Sequence, residues 1–262
     1  MPSRNRHPAP VRIGCAGWSL PGRYHALFND GDSMLARYAT RFDVVEINSS
    51  FYRPHRHATY ARWAASVPAG FAFSAKLPRT ISHELGLRGC ADVLQRFLDQ
   101  VDGLGDKLGG LLLQLPPSLA LDMRVAAGFF RVLRNRSAAD LVCEPRHPSW
   151  FSDAAAAFLQ RHAVSRVIAD PPRVTGAVAP LAGTAWPYWR WHGYPRVYYS
   201  DYSEAALQQL AQAARASASA AGRAPWVIFD NTAHGFAIAN AARLQQLLLQ
   251  QPASHRPQRH HA

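Results

Sequence analysis

Short apolar runs recur along this chain, and each gives way to polar residues where the run stops. The runs read as buried strands at Val11–Cys15, Phe42–Ile47, Phe71–Lys76, Gly110–Leu115, Asp140–Glu144, Ser165–Ala169, Tyr188–His192 and Pro225–Asp230. Between them lie stretches whose apolar positions return every three to four residues, the period of a helix with one buried face. These fall at Met34–Thr40, Thr59–Val67, Ala91–Leu104, the segment after Asp122, Asp153–Arg161, the alanine-rich run after Ser203, and Ala237–Leu249. Asp122 and Ser203 are suited to cap their helices. From Arg173 to Pro187, where another helix is expected, glycines and prolines break the pattern.

Eight strands, seven of them followed by a helix, predict an α/β fold: a single (β/α)8 TIM-like barrel, irregular around the sixth helix. An open doubly wound sheet would lead one to expect a glycine-rich phosphate loop after an early strand, and no GxGxxG pattern occurs. The barrel domain is placed at residues 11–250. Residues 1–10 and 251–262, polar and basic, read as disordered tails.

Composition changes this picture little. The chain is 48% hydrophobic, enough for a full core. Cys15, Cys90 and Cys143 are odd in number and lack a CxxC spacing, which points to a reducing compartment without a disulfide framework. No apolar segment follows the basic N-terminus, and the longest aliphatic run, Leu111–Leu115, is too short to span a bilayer. The expectation is a cytoplasmic protein with no membrane partner. The net charge of +12 favours anionic partners, although scattered arginines in an alanine- and arginine-rich chain account for it equally well.

The chemistry is concentrated at the strand ends. Glu46 and Asn48, Lys76, Gln114, Glu144 with Arg146 and His147, Asp170, Arg190 and His192, and Asp230 with Asn231 each close an apolar run. In a parallel barrel these ends share one face and one pocket. Residues two apart on a strand project the same way, so Glu46 and Asn48 form one such pair and Arg190 and His192 another. Trp18, Phe51, Tyr52, Trp150, Trp186, Trp189, Trp191, Tyr198 and Tyr199 are expected to crowd the same face, where rings could stack a sugar or a base. Lys76 is read as a salt bridge or anion contact ahead of a Schiff-base lysine. His55 and His83 are read as solvated loop residues. No cofactor is expected. A divalent metal stays open, but no HxH or HExxH pair fixes two ligands together, and the neighbouring arginines would repel a cation.

The same stretches carry a family resemblance. GCAGWS (Gly14–Ser19), VEINSSFYR (Val45–Arg53), AKLPRTISH (Ala75–His83), KLGGLLLQLPPS (Lys107–Ser118), EPRHPSWF (Glu144–Phe151), WRWHG (Trp189–Gly193) and FDNTAHGFAIANA (Phe229–Ala241) occur in order. Together they resemble the YecE-like family, domain-of-unknown-function family 72, from about Arg12 to Leu249. The resemblance implies a TIM-like barrel and supplies no reaction. Pro145 stands where the family pattern leads one to expect phenylalanine, and Asp230-Asn231-Thr232 replaces a more asparagine-rich turn.

From the residues themselves, the expected function is acid/base chemistry on a small phosphorylated or carboxylated substrate. Arg146, Arg190 and Lys76 would hold the anion. Glu144 or Glu46 would act as base and His147 or His192 as acid. Asn48, Gln114, Tyr52, Trp18, Asp230 and Asn231 would complete the substrate contacts. Hydrolysis, isomerisation and elimination all remain open. Two other readings stand beside it: a nucleic-acid-binding or phosphodiester-processing protein, and a non-catalytic small-molecule binding module. Oligomeric state is not legible.

Overall fold

The computed structural model describes residues 11–174, 186–221 and 223–250. The tails and most of the expected irregular stretch, residues 175–185, lie outside the described residues. The strands are β1 (Arg12–Cys15), β2 (Val44–Ile47), β3 (Ala72–Lys76), β4 (Leu108–Gln114), β5 (Leu141–Glu144), β6 (Val164–Arg166), β7 (Ile168–Asp170), β8 (Tyr188–Trp191) and β9 (Trp226–Phe229). The helices are α1 (Met34–Tyr38), α2 (His57–Ala65), α3 (Ala91–Val101), α4 (Met123–Arg134), α5 (Asp153–Arg161), α6 (Glu204–Ala221) and α7 (Phe236–Leu249). The fold is α/β.

Every strand pair is parallel. Hydrogen bonding divides the strands into a five-stranded sheet, β2-β3-β4-β5-β6, and a four-stranded sheet, β1-β9-β8-β7. The run Ser165–Ala169, read from sequence as one strand, is two. Its first part pairs with β5 through Leu141↔Val164 and Cys143↔Arg166, its second with β8 through Ile168↔Trp189. Val167 stands between them and donates its N–H to the Cys143 carbonyl at 2.8 Å. The chain thus steps from one sheet to the other within a single extended segment. At the opposite edges Ala16 bridges to Glu46 in parallel register, and Gly17 N–H reaches the Glu46 carbonyl at 2.9 Å.

Strand alternation sorts the side chains into two cores. One face of the sheets packs on the helices, with Leu111, Leu113 and Cys143 against the apolar stripes of α3 (Leu94, Phe97, Leu98, Val101) and α4 (Ala126, Phe129, Phe130, Leu133). Each leucine, valine or phenylalanine among them, fully buried, contributes about 1.5–3 kcal/mol before the entropy of ordering it. All three cysteines are free and buried. Asp122 caps α4 by accepting from Arg124 and Val125 N–H, and Ser203 accepts from Ala206 N–H at the start of α6.

The other face builds a smaller cluster from Val44, Ala72, Leu112, Val142, Val167, Trp186, Tyr188, Trp226 and Ile228. Two glycines explain how its large rings fit. A Cβ on Gly109 would lie 2.7 Å from the Trp226 ring, and one on Gly110 would lie 2.3 Å from the Trp186 ring. Both distances are shorter than any carbon–carbon contact tolerates. The Gly109-Gly110 pair therefore lets two indoles, edge-to-face at 5.1 Å, form the floor of the space between the sheets.

Candidate functional site

Counting by twos up that inner face turns the apolar floor into a polar layer. Val44 leads to Glu46, Ala72 to Ser74 and Lys76, Leu112 to Gln114, Val142 to Glu144, Tyr188 to Arg190 and His192, and Ile228 to Asp230. All of these polar residues are buried. Because the strands are parallel, their carboxyl ends lie together, and the polar layer forms at that end.

Arg190 is its centre, with no solvent exposure. It grips Glu46 with two bonds, Nε to Oε2 at 2.9 Å and Nη2 to Oε1 at 2.6 Å. Its Nη1 donates to Glu144 Oε2, and its Nη2 also donates to Asp230 Oδ2 at 3.0 Å. One guanidinium thus meets three carboxylates, two from the five-stranded sheet and one that follows β9. Tyr188 OH donates to Glu46 Oε2 at 2.9 Å, Ser74 and Tyr188 share a hydroxyl bond at 2.7 Å, and Gln114 Nε2 donates to Glu144 Oε2 at 3.0 Å.

His192 closes the ring. Its Nδ1 lies 3.0 Å from Asp230 Oδ2 and its Nε2 lies 3.1 Å from Glu144 Oε1. A neutral imidazole can donate from only one nitrogen, whereas two carboxylate partners call for two donors. Burial alone would lower the His192 pKa, but Glu144 and Asp230 outweigh it and the pKa is raised. Burial would likewise lift Glu144, yet Arg190, His192 and Arg146 hold its carboxyl well below the ordinary range. Asp230 is lowered in the same way, against its burial, by Arg190 and His192. The layer is an ion cluster in which His192 bridges Glu144 and Asp230.

The cations above it are less satisfied. Lys76 is 3% exposed, and its Nζ sits 4.0 Å over the Phe51 ring. Among the described residues it makes neither a hydrogen bond nor an ion pair, so the salt bridge expected there is absent. The carboxylates of the layer are already taken by Arg190, a better-shaped partner. Burial and then Arg190 bring the Lys76 amine down to about 8, with Glu46, Glu144 and Asp230 only partly opposing. Arg146 reaches Glu144 Oε1 at 3.6 Å, while its buried Nε and Nη2 lack hydrogen-bond partners. Arg173, which no strand-end rule singled out, also has a buried, unpartnered Nε, and it lies within the electrostatic reach of Arg146 and Glu144. The signal was its place just past the Asp170-Pro171-Pro172 end of β7.

Other expected residues sit elsewhere. His147 spends Nδ1 on Ser149, as the cap of a 3-10 turn at Pro148–Phe151, leaving Nε2 for any chemistry. Asn48 is half-buried at the head of the Ser49–Phe51 turn, with Oδ1 unpartnered. Asn231 turns away from Arg190 and ties the Ser200 carbonyl to Asn240. Asp170 accepts from Tyr202 OH at 2.8 Å, outside the Arg190 cluster. Trp18 packs edge-on against Trp63 at 5.0 Å, and Tyr52 is 74% exposed.

The crowd of aromatics does not form as expected. Trp189 and Trp191 alternate with Arg190 and point into the helix-facing core, Trp150 is buried with its N–H on the Leu119 carbonyl, and Trp186 lies in the floor. Of the rings expected there, Phe51 and Tyr198 meet the polar layer, Tyr198 edge-on to His192 at 5.8 Å. His83 is half-buried rather than solvated. Its ring stands edge-on to Phe51 at 5.1 Å and its Nδ1 bonds Ser82 Oγ. His55 is also engaged, with Nε2 2.8 Å from Ser49 Oγ. Among the described residues no group of three or more His, Cys, Asp or Glu is placed to hold a metal, and the carboxylates that come nearest each other are already bound to a guanidinium.

Fold and site together define a parallel α/β protein with a buried ion cluster at the carboxyl ends of its strands. The model for the family described as "Protein of unknown function DUF72" matches residues 12–261, and the chain belongs to that family. It is 30% identical over 173 residues to the UPF0759 protein YecE of Escherichia coli K12, covering 64% of this chain and 61% of that protein. The corresponding protein of Escherichia coli O157:H7 is 35% identical over 106 residues, 40% of this chain and 38% of its own. The matched stretch thus spans less than two thirds of each curated relative. Among solved structures, a DUF72 family protein from Enterococcus faecalis V583 superposes with a TM-score of 0.76 at 21% identity, covering 92% of this chain and 96% of that one. One from Thermotoga maritima MSB8 gives 0.75 at 23% identity, covering 92% and 100%. These likenesses bear on the fold. No helix among the described residues is long and apolar enough to cross a membrane.

Proposed function

We propose that the two sheets act as halves of one (β/α)8 barrel, and that the carboxyl-end layer is the floor of a pocket for a small phosphorylated or carboxylated molecule. The bonds from Glu46 and Glu144 to Arg190, and from Ser74 to Tyr188, run from one sheet to the other, which supports the barrel. The observation that carries the anion reading is the set of unfilled donors above the cluster. Among the described residues Arg146 holds buried N–H groups with no acceptor, and the buried residue Lys76 has no counter-ion. Leaving such donors unpaired costs roughly 1–3 kcal/mol each, and more when charged, a cost that an anionic ligand relieves.

In this reading Arg146 and Lys76 hold the anion, while Arg190, Gln114 and Asp230 fix the acid/base pair. His192 is the proton donor and Glu144 the group that receives and returns the proton. The depressed Glu144 carboxyl suits it to stabilising imidazolium more than to abstracting a proton unaided. Glu46, with both oxygens on Arg190, positions.

A thermal-shift screen at fixed salt tests the proposal, setting phosphorylated metabolites and sugar acids against short oligonucleotides. A ligand at about 100 times its Kd adds roughly 2.7 kcal/mol. For a domain of this size that is about 5–10 °C. The proposal expects a small anion to raise the melt and Arg146→Ala to abolish the rise. If only oligonucleotides act, and their effect fades steeply with salt, the net charge of +12 serves nucleic acid and the small-molecule reading falls.

A further inference from the structure

Of the 29 lysines and arginines in this chain, only two are lysines, Lys76 and Lys107. Wherever else the protein needs a cation it uses a guanidinium. Lys107 has an evident structural duty, since its Nζ lies 2.5 Å from the carbonyls of both Ala64 and Val67 at the end of α2. For Lys76 none is evident beyond its stand over the Phe51 ring: the residue is buried, and its amine makes no hydrogen bond or ion pair among the described residues. An anion could be held there by arginine as well or better. What a guanidinium cannot supply is a nucleophilic nitrogen.

We propose that Lys76 is a covalent nucleophile, capturing the carbonyl of a small phosphorylated or carboxylated aldehyde or ketone as an imine. The inference rests on the anion-pocket reading above and names its substrate class. Three features of the surroundings suit the step. The amine stands on the Phe51 face with little water. Burial and then Arg190 favour its uncharged form, bringing it to about 8, so that roughly a tenth is free base at pH 7 and about half at pH 8. Arg146 offers unfilled donors for the anionic end of the substrate.

The Nζ lone pair attacks the carbonyl carbon, forming the C–N bond as the C=O π pair moves to oxygen. The proton shed by nitrogen is returned to that oxygen. The nitrogen lone pair then forms the C=N double bond, and the hydroxyl leaves with the second proton from nitrogen as water. Amine plus carbonyl gives imine plus one water, without an oxidant or reductant. His83, edge-on to the same Phe51 and within the electrostatic reach of Lys76, has an Nε2 that makes no hydrogen bond among the described residues and is the candidate carrier of that proton.

The test is reductive trapping on the full chain. Glyoxylate, glyceraldehyde 3-phosphate and glyceraldehyde are each added with cyanoborohydride, and adducts are located by peptide mass mapping. With two lysines and one N-terminal amine the assignment is unambiguous. The proposal expects one adduct, on Lys76, formed by the two anionic probes at least tenfold faster than by glyceraldehyde and suppressed by inorganic phosphate. Lys76→Met, checked for an intact melt, should show none. Labelling of Lys107 or the N-terminus as fast as Lys76 would overturn it. So would no adduct on Lys76 while phosphate still raises the melt, a result that leaves the anion pocket standing. Equal labelling by glyceraldehyde and its phosphate would instead remove the anionic substrate class and the pocket reading beneath it.

Discussion

Replacing Arg190 by methionine is the sharpest perturbation this architecture offers. Methionine keeps much of the volume and removes every donor, leaving Glu46, Glu144 and Asp230 buried beside one another, offset by His192, Lys76 and the more distant Arg146. Removing one partner of a buried ion pair costs roughly 3–5 kcal/mol, because the remaining charge is stranded. In a domain of this size each kcal/mol moves the melting temperature by about 2–4 °C, so a loss of roughly 6–20 °C is expected at pH 7. The pH dependence identifies the cause. In the native protein Glu144 and Asp230 titrate below their unfolded values, so their contribution is present above the unfolded pKa and is lost as pH falls through the folded one. His192 titrates above its unfolded value, so its contribution is full below about 6.5 and is lost as pH rises through the raised folded pKa. Without Arg190 the carboxylates are left to desolvation and their pKa values rise, so acidification toward pH 5 relieves the variant, whereas the native carboxylate contribution is lost only below the unfolded pKa values. Denaturant melts at pH 5 and pH 7 should therefore show a smaller gap between the two proteins at pH 5. A variant that melts within about 2 °C of the native protein at pH 7, or loses equally at both pH values, would refute the cluster as the source of stability.

Other outcomes follow from the same geometry. Lys76→Met should raise stability near neutral pH by up to roughly 3 kcal/mol, since a lysine brought from 10.5 to about 8 costs most when charged. In the native protein this cost is full below pH 8 and relieved as pH rises toward 10.5, so the gain from the substitution should shrink across that window in melts at successive pH values. Arg146→Ala should leave the melt nearly unchanged and remove the response to inorganic phosphate, read by calorimetry; an unaltered response would take Arg146 out of the pocket. Gly110→Ala should drive a methyl into the Trp186 ring and cost roughly 1–3 kcal/mol in urea unfolding, with a shift in tryptophan fluorescence marking the displaced floor.

The apolar runs located the strands because buried parallel strands admit little else. Of the polar residues that ended them, the parallel register gathers Glu46, Gln114, Glu144, His192 and Asp230 around Arg190. His147, Asp170 and Asn231 turn to other partners, and Asn48 stands at the head of the Ser49–Phe51 turn. Alternation paired Arg190 with His192 correctly, but applied to Trp189 and Trp191 it also sends those rings to the opposite face, where they cannot line a pocket. The step between β6 and β7 left no mark in Ser165–Ala169, whose residues suit a continuous strand. The break is made by partners on either side, Cys143 and Trp189, distant in sequence. Tyr188 gave no hint of its hydroxyl bond to Glu46 because a mid-strand tyrosine reads as core. Lys76 could be located but not assigned a partner, since that depended on Arg190 occupying every nearby carboxylate.

The Trp186–Trp226 floor gives the molecule a direction. Both indoles are buried, as are Tyr188 and Ile228 above them, so the space between the sheets is stoppered at the amino ends of the strands. If the sheets close as the proposed barrel, whatever reaches Arg190, His192 or Lys76, whether water, a proton or an anion, arrives from the carboxyl ends and leaves by the same way. A ligand seated at that mouth would cut the cluster off from bulk solvent. The protons present at the moment of closure would then be the only ones available until it departs.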